Sequence, residues 1–109
     1  MRRLSLLLLI GLAGCGQHRG HAEARALIAE RCAACHVVPG VAGANGRVGP
    51  SLAGIAGQQI IAGHFVNNRI NLARWVAHPQ KSLPGNAMPD TGLTDRQALA
   101  IADYLATLD

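Results

Sequence analysis

Cys32-Ala33-Ala34-Cys35-His36 are the residues whose types and spacing could do chemistry in this chain of 109 residues. Two thiols three positions apart can reach the two vinyl groups of one porphyrin and form thioethers. A histidine immediately after them is carried under the ring, where its imidazole can bind iron. The pattern reads as the covalent attachment site of a c-type haem. Two competing readings need other surroundings. A thiol-redox CxxC requires a preceding strand and a βαβ pattern, and neither is predicted here. A zinc site requires a second ligand pair, and no second cysteine pair exists. A haem-stained denaturing gel separates a haem protein from a haem-free thiol or metal protein, because covalent haem survives denaturation.

The N-terminus sets the compartment. Met1-Arg2-Arg3 is a positive start, and Leu4 to Leu12 is an apolar stretch too short and wrongly flanked for a spanning helix. Leu12-Ala13-Gly14-Cys15 resembles a bacterial lipobox, with cleavage before Cys15 and lipidation of its thiol. The alternative is an ordinary signal peptide, with Cys15 left free or trimmed away. The expected organisation is a signal peptide over 1–14, a tether over 15–21 and one haem-binding domain over 22–109. The mature chain would then lie in the periplasm or outside the cell, held to a membrane by lipid. One acyl chain holds a protein weakly, whereas two or three hold it stably. Cys15 for lipid and Cys32 and Cys35 for haem account for all three cysteines. None remains for a disulfide, although an exported protein could have formed one.

Losing Arg2 and Arg3 with the signal lowers the formal charge from +4 to +2. The other cationic side chains are scattered, with no basic run and no aromatic interleaving, so nucleic-acid binding finds no support.

The elements around the motif read as helices joined by irregular loops. Residues 22–34 are strong helix formers without Gly or Pro, and Ala24 and Ile28 share a face. Val37 to Gly57 is rich in Gly and Pro and reads as a long loop, which in a compact domain needs something to wrap. Gly43-Ala44-Asn45-Gly46-Arg47-Val48-Gly49 lacks the preceding strand and following helix of a phosphate-binding loop. A second helix is predicted from Asn67 or Asn68 to Ala77, with Trp75 on it and Pro79 stopping it. Lys81 to Asp90 is another Pro/Gly segment. Thr94-Asp95-Arg96-Gln97 is a capping-box pattern that opens a final helix carrying Ala98, Leu99, Ile101, Ala102, Tyr104, Leu105 and Leu108. No strand pair and no internal repeat is expected.

In order, the chain offers Cys32-Ala33-Ala34-Cys35-His36, Val48-Gly49-Pro50-Ser51-Leu52, Trp75 ahead of His78-Pro79, Pro84-Gly85-Asn86-Ala87-Met88-Pro89, and a final helix with an aromatic. This set resembles class I cytochrome c over nearly all of residues 22–108. The segment from Trp75 to Asp90 is similar to the small bacterial respiratory type. The resemblance implies an all-α fold of about three main helices and loops wrapped around one covalent haem c. It implies His36 as the proximal iron ligand, with Pro50 accepting a hydrogen bond from its other ring nitrogen, and Met88 as the distal ligand. His64 and His78, then His18 and His21, are the alternatives to Met88, and core filler is its other reading. Trp75 is implied to lie against the distal side of the haem, and Asn86 to hydrogen-bond a propionate or nearby backbone. Ala24 and Ile28 are implied to cross the last helix near Tyr104. Gln58 and Asn67 depart from the mitochondrial-type pattern, standing where propionate-supporting Arg and Trp side chains often occur. That departure leaves the propionates more exposed or neutralised by another group such as Arg47.

With both axial positions filled, the resemblance implies a monomeric electron carrier. Its partners would be a dehydrogenase or cytochrome complex and a terminal oxidase or reductase. An open distal position would instead imply a CO or NO sensor, or a peroxidase-like enzyme.

Overall fold

The computed structural model describes the backbone of residues 15–109 and the side chains of residues 21–109. The expected signal peptide over 1–14 lies outside the described residues, and so does the side chain of Cys15. Four α-helices occur among the described residues: α1 (Cys15–Arg31), α2 (Arg69–Ala77), α3 (Pro79–Ser82) and α4 (Asp95–Leu105). None of them is long and apolar enough to cross a membrane.

The first helix begins earlier and ends sooner than the sequence predicts. Its backbone is already helical over 15–21, the segment expected to be a tether. Propagating a helix is far easier than nucleating one, so the strong formers after residue 22 can extend it backwards through Gly16 and Gly20. It ends at Arg31 rather than Ala34 because the haem motif forms its own turn. Ala33 N–H donates to Ile28 O at 3.0 Å, Cys35 N–H to Cys32 O at 3.1 Å and His36 N–H to Cys32 O at 2.9 Å.

The helix α4 packs against both α1 and α2. Ala24 and Ile28 on α1 are fully buried with Ala98, Ile101 and Ala102 on α4. Small residues at this crossing let the two backbones approach. The capping box forms as expected: Thr94 Oγ1 accepts from Gln97 N–H at 3.1 Å, and Gln97 Oε1 accepts from Thr94 N–H at 2.9 Å. The second helix starts at Arg69, with Asn68 as the N-cap accepting from Asn71 N–H at 2.8 Å.

Three elements depart from expectation. A short antiparallel pair forms between β1 (Ile60–Ile61) and β2 (Phe65–Val66), in register Ile60↔Val66 and Ile61↔Phe65. Its loop carries two left-handed residues in succession, Ala62 at φ 51° and Gly63 at φ 71°. The segment 79–82, whose last two residues fall in the loop expected from Lys81, is a helical turn started by Pro79, whose fixed φ suits the first helical position. The long loop contains a one-turn 3-10 helix at Ile55–Gly57 and an isolated bridge between Val37 and Asn45.

Candidate functional site

The end of α1, the long loop, the hairpin, α2, α4 and the methionine loop enclose one large cleft. It holds about 1160 Å³ of space, counting the part that opens to solvent. Its walls are mainly apolar, with Ile28, Ile61, Leu72, Val76, Ile101 and Leu105 from four different elements. Cys32, Cys35, His36, Pro50, Trp75 and Met88 line the same cleft. Six of the seven residues expected to hold the cofactor are therefore brought together.

The backbone brings Cys32 and Cys35 to this wall through the turn that ends α1. Cys32 is buried and Cys35 half-buried. Burial, with the neighbouring Cys35 adding to it, pushes the Cys32 thiol up to about 11. Thiol-disulfide catalysis needs the opposite shift.

His36 is fixed from two sides. Its Nδ1 lies 2.6 Å from Pro50 O. A carbonyl oxygen only accepts, so Nδ1 carries the proton and Nε2 keeps its lone pair for a metal. The loop carrying Pro50 is itself tied down, with Gly49 N–H donating to Cys35 O at 2.7 Å and Leu52 N–H to Val37 O at 2.9 Å. Gly49 packs against the imidazole so closely that a Cβ there would collide with Cε1 and stand 2.8 Å from Nδ1.

Met88 is half-buried, and both sides of its backbone are held. Its N–H donates to Asn86 Oδ1 at 2.6 Å, and its carbonyl accepts from Gln80 Nε2 at 2.7 Å. The competing histidines stand elsewhere. His64 Nδ1 bonds Ala62 O at 2.9 Å within the hairpin, and His78 Nε2 lies 3.0 Å from Asp95 Oδ1. His21 meets the edge of the Tyr104 ring at 5.9 Å. His21, His64 and His78 do not line the cleft, and the side chain of His18 is outside the described residues.

Trp75 lies in the wall of the cleft with Phe65 beside it, ring centroids 5.9 Å apart. Asn86 does not line the cleft. Its Nδ2 donates to Pro79 O at 2.9 Å and Leu83 O at 2.8 Å, so the amide serves the backbone of its own loop. Asn67 likewise donates to Ile55 O at 2.9 Å and Gln58 O at 2.8 Å, closing the loop below the hairpin.

Sequence reasoning missed three supports. Gln80 ties the methionine loop to α3. Arg31, the residue before the motif, donates from Nη1 to Thr91 O at 2.7 Å, and Thr91 Oγ1 donates to Val76 O at 2.8 Å. Tyr104 Oη donates to Pro39 O at 2.6 Å, joining α4 to the loop after His36. The only sequence signal for the last was a polar aromatic among the apolar positions of α4.

A helical shell around an apolar cleft, with a CxxCH turn on its wall, defines a small c-type haem protein. The chain belongs to the cytochrome c family, whose family model, described as Cytochrome c, matches residues 21–109. It is 39% identical over 90 residues to cytochrome c2 iso-2 of Magnetospirillum molischianum, covering 71% of this chain and 90% of that one. It is 34% identical over 90 residues to cytochrome c oxidase subunit 2 of Bacillus sp. (strain PS3), covering 79% of this chain. The chain spans about a quarter of the length of that subunit. Among solved structures, the c-type cytochrome SorU from Sinorhizobium meliloti aligns with TM-score 0.58 and 26% identity, over 84% of this chain and 92% of its own.

Haem c with its iron is the family's covalently held cofactor, and the residues present fit it. The cleft is apolar, two cysteines stand at its wall, and one histidine is held in the tautomer that leaves Nε2 free to ligate.

Proposed function

We infer that this chain transfers single electrons through a haem c held by Cys32 and Cys35, with His36 and Met88 as the axial ligands. The observation that carries the reading is that His36, tautomer-locked by Pro50, and Met88 line one apolar cleft with both cysteines. Once bound, the haem supplies an Fe(III)/Fe(II) couple. The protein's own part is positional. His36 keeps its proton on Nδ1 against Pro50 O, so no proton need move there as charge changes. The apolar walls exclude water and, with sulfur ligation, favour the reduced iron. Met88 closes the position that a CO or NO sensor or a peroxidase-like enzyme would need open. The protein is thus a carrier or redox subunit rather than an enzyme.

Electrons reach the haem from a docked redox protein through the open rim of the cleft. Val48, 81% exposed and part of the cleft wall, marks that rim. Such redox encounters are small and transient. The likeness to a cytochrome c2 and to part of an oxidase subunit supports a place between a dehydrogenase or cytochrome complex and a terminal oxidase or reductase. Leu12-Ala13-Gly14-Cys15 supports export, cleavage before Cys15 and a lipid tether on the periplasmic or outer side of a membrane, with residues 22–109 as one monomeric domain.

Anaerobic redox titration with CO challenge tests this reading. The expected result is one reversible one-electron wave and no rapid CO binding by the reduced protein at neutral pH. Rapid CO binding would favour the ligand-sensing reading.

A further inference from the structure

The methionine loop is held by a side chain that does not itself line the cleft. Gln80 sits on α3, half-buried, and reaches across to residues 85–88. Its Nε2 donates to Asn86 O at 2.8 Å and to Met88 O at 2.7 Å, while its Oε1 accepts from Gly85 N–H at 3.2 Å. The orientation of this amide is forced. Two carbonyl oxygens can only accept and one backbone N–H can only donate, so a flipped amide would face three mismatches. The Gln80 backbone is anchored in turn, its N–H donating to Asp90 Oδ1 at 3.2 Å just beyond the loop.

The clamp encloses Met88 from both directions in sequence. Asn86 holds the methionine's N–H, and Gln80 holds its carbonyl. With both backbone groups fixed, the stretch of chain from which the Met88 side chain extends is held at the cleft wall. Without the Gln80 amide, two half-buried carbonyls lose their donor, and the loop has reason to turn them to water.

We propose that Gln80 is a positioning residue for Met88: its amide clamps residues 85–88 and so keeps the methionine sulfur in the cleft against competing ligands. This rests on the reading of Met88 as the distal ligand. Gln80 acts through the loop and touches neither iron nor porphyrin.

The test uses oxidised haem-loaded protein titrated with imidazole, a competitor for the methionine's position. The readout is loss of the weak sulfur-to-iron charge-transfer band. Gln80→Leu is expected to bind imidazole roughly 10- to 100-fold more tightly than wild type, the order of effect of losing the three hydrogen bonds of the amide. Thr94→Ala, which removes a cap on α4 away from the loop, is the control for general destabilisation. It should unfold more easily yet bind imidazole as wild type does. Equal tightening in Thr94→Ala and Gln80→Leu would overturn the proposal.

Gln80→Glu decides the matter if the leucine variant does not fold. It keeps the acceptor for Gly85 but loses both donors while its carboxyl is ionised. The ratio of its imidazole affinity to that of wild type, which cancels imidazole's own protonation, should exceed one near neutral pH. It should fall towards one in acid, as the protonated carboxyl regains an O–H donor. A ratio of one at every pH would overturn the proposal. A wild-type protein lacking the charge-transfer band would overturn the Met88 reading itself. A wild-type band with unchanged affinity in both Gln80 variants would overturn the clamp alone.

Discussion

Gly49 shows how little room the proximal side leaves. A methyl group there would overlap the His36 ring, and the imidazole could make way only by weakening its bond to Pro50 O. Gly49→Ala in the haem-loaded protein is therefore expected to lose about 1–3 kcal/mol of stability in urea unfolding, the usual penalty for overpacking. An unchanged midpoint would show that the ring has slack. That Cys32, Cys35 and His36 would share one cleft was legible in the sequence from the spacing of the motif, and the family resemblance added Pro50 and Met88 to it. Gln80 and Asn67 were not legible. Their partners are backbone carbonyls, which every residue has, and only the folded path of the loops turns those carbonyls towards one amide. Of the two partners expected for Asn86, a propionate or nearby backbone, its amide takes the backbone of Pro79, Leu83 and Met88.

At the scale of elements, α4 is the organiser, since it packs on both α1 and α2 and reaches the haem loop through Tyr104. Its start was read correctly because a capping box is a local signal, complete within four residues. Thr94→Ala should cost about 1 kcal/mol, and Tyr104→Phe about 1 kcal/mol through the lost bond to Pro39 O. Urea unfolding of each variant measures both. The hairpin was missed for the converse reason. Ile60-Ile61 and Phe65-Val66 have strand character, but the loop between them puts Ala62 in the left-handed region, where Gly, Asn or Asp is the usual signal. The tie between α2 and α4 adds a pH dependence. Arg69 donates to Asp103 at 2.7 Å and 3.1 Å, and this bond holds the Asp103 carboxyl below its ordinary value; burial opposes it, and the Arg69 charge adds a smaller lowering. A depressed folded value means stability present above the ordinary carboxylate range and lost as pH falls through the folded value. Both side chains are exposed, so the effect is small. The stability difference between wild type and Asp103→Asn should be seen at neutral pH and vanish in acid. A difference that grew in acid would contradict the assignment.

At the scale of the whole molecule, the cofactor is part of the core. The chain has one Trp, one Tyr and one Phe, and several of its largest buried apolar side chains, Ile28, Ile101 and Leu105 among them, line a large cleft. Chains this small need a staple beyond their own burial. The Cys32→Ala, Cys35→Ala double variant should accumulate as unfolded or degraded chain, with circular dichroism and hydrogen exchange as the readouts. A well-folded apoprotein of native stability would contradict that view. The global order of helices and loops was legible because the motifs occur in one fixed sequence along nearly the whole domain, the same span that the family match covers. What the order of motifs does not encode is a partner, since docking faces are set by surface shape rather than by spacing.

The central claim is that His36 and Met88 together close the iron. The optical spectrum of the oxidised haem-loaded protein tests it most directly. The account predicts a weak sulfur-to-iron charge-transfer band in the wild type that disappears in Met88→Ala, with rapid CO binding gained by the reduced variant. A bis-histidine signature in the wild type, without that band, would contradict it.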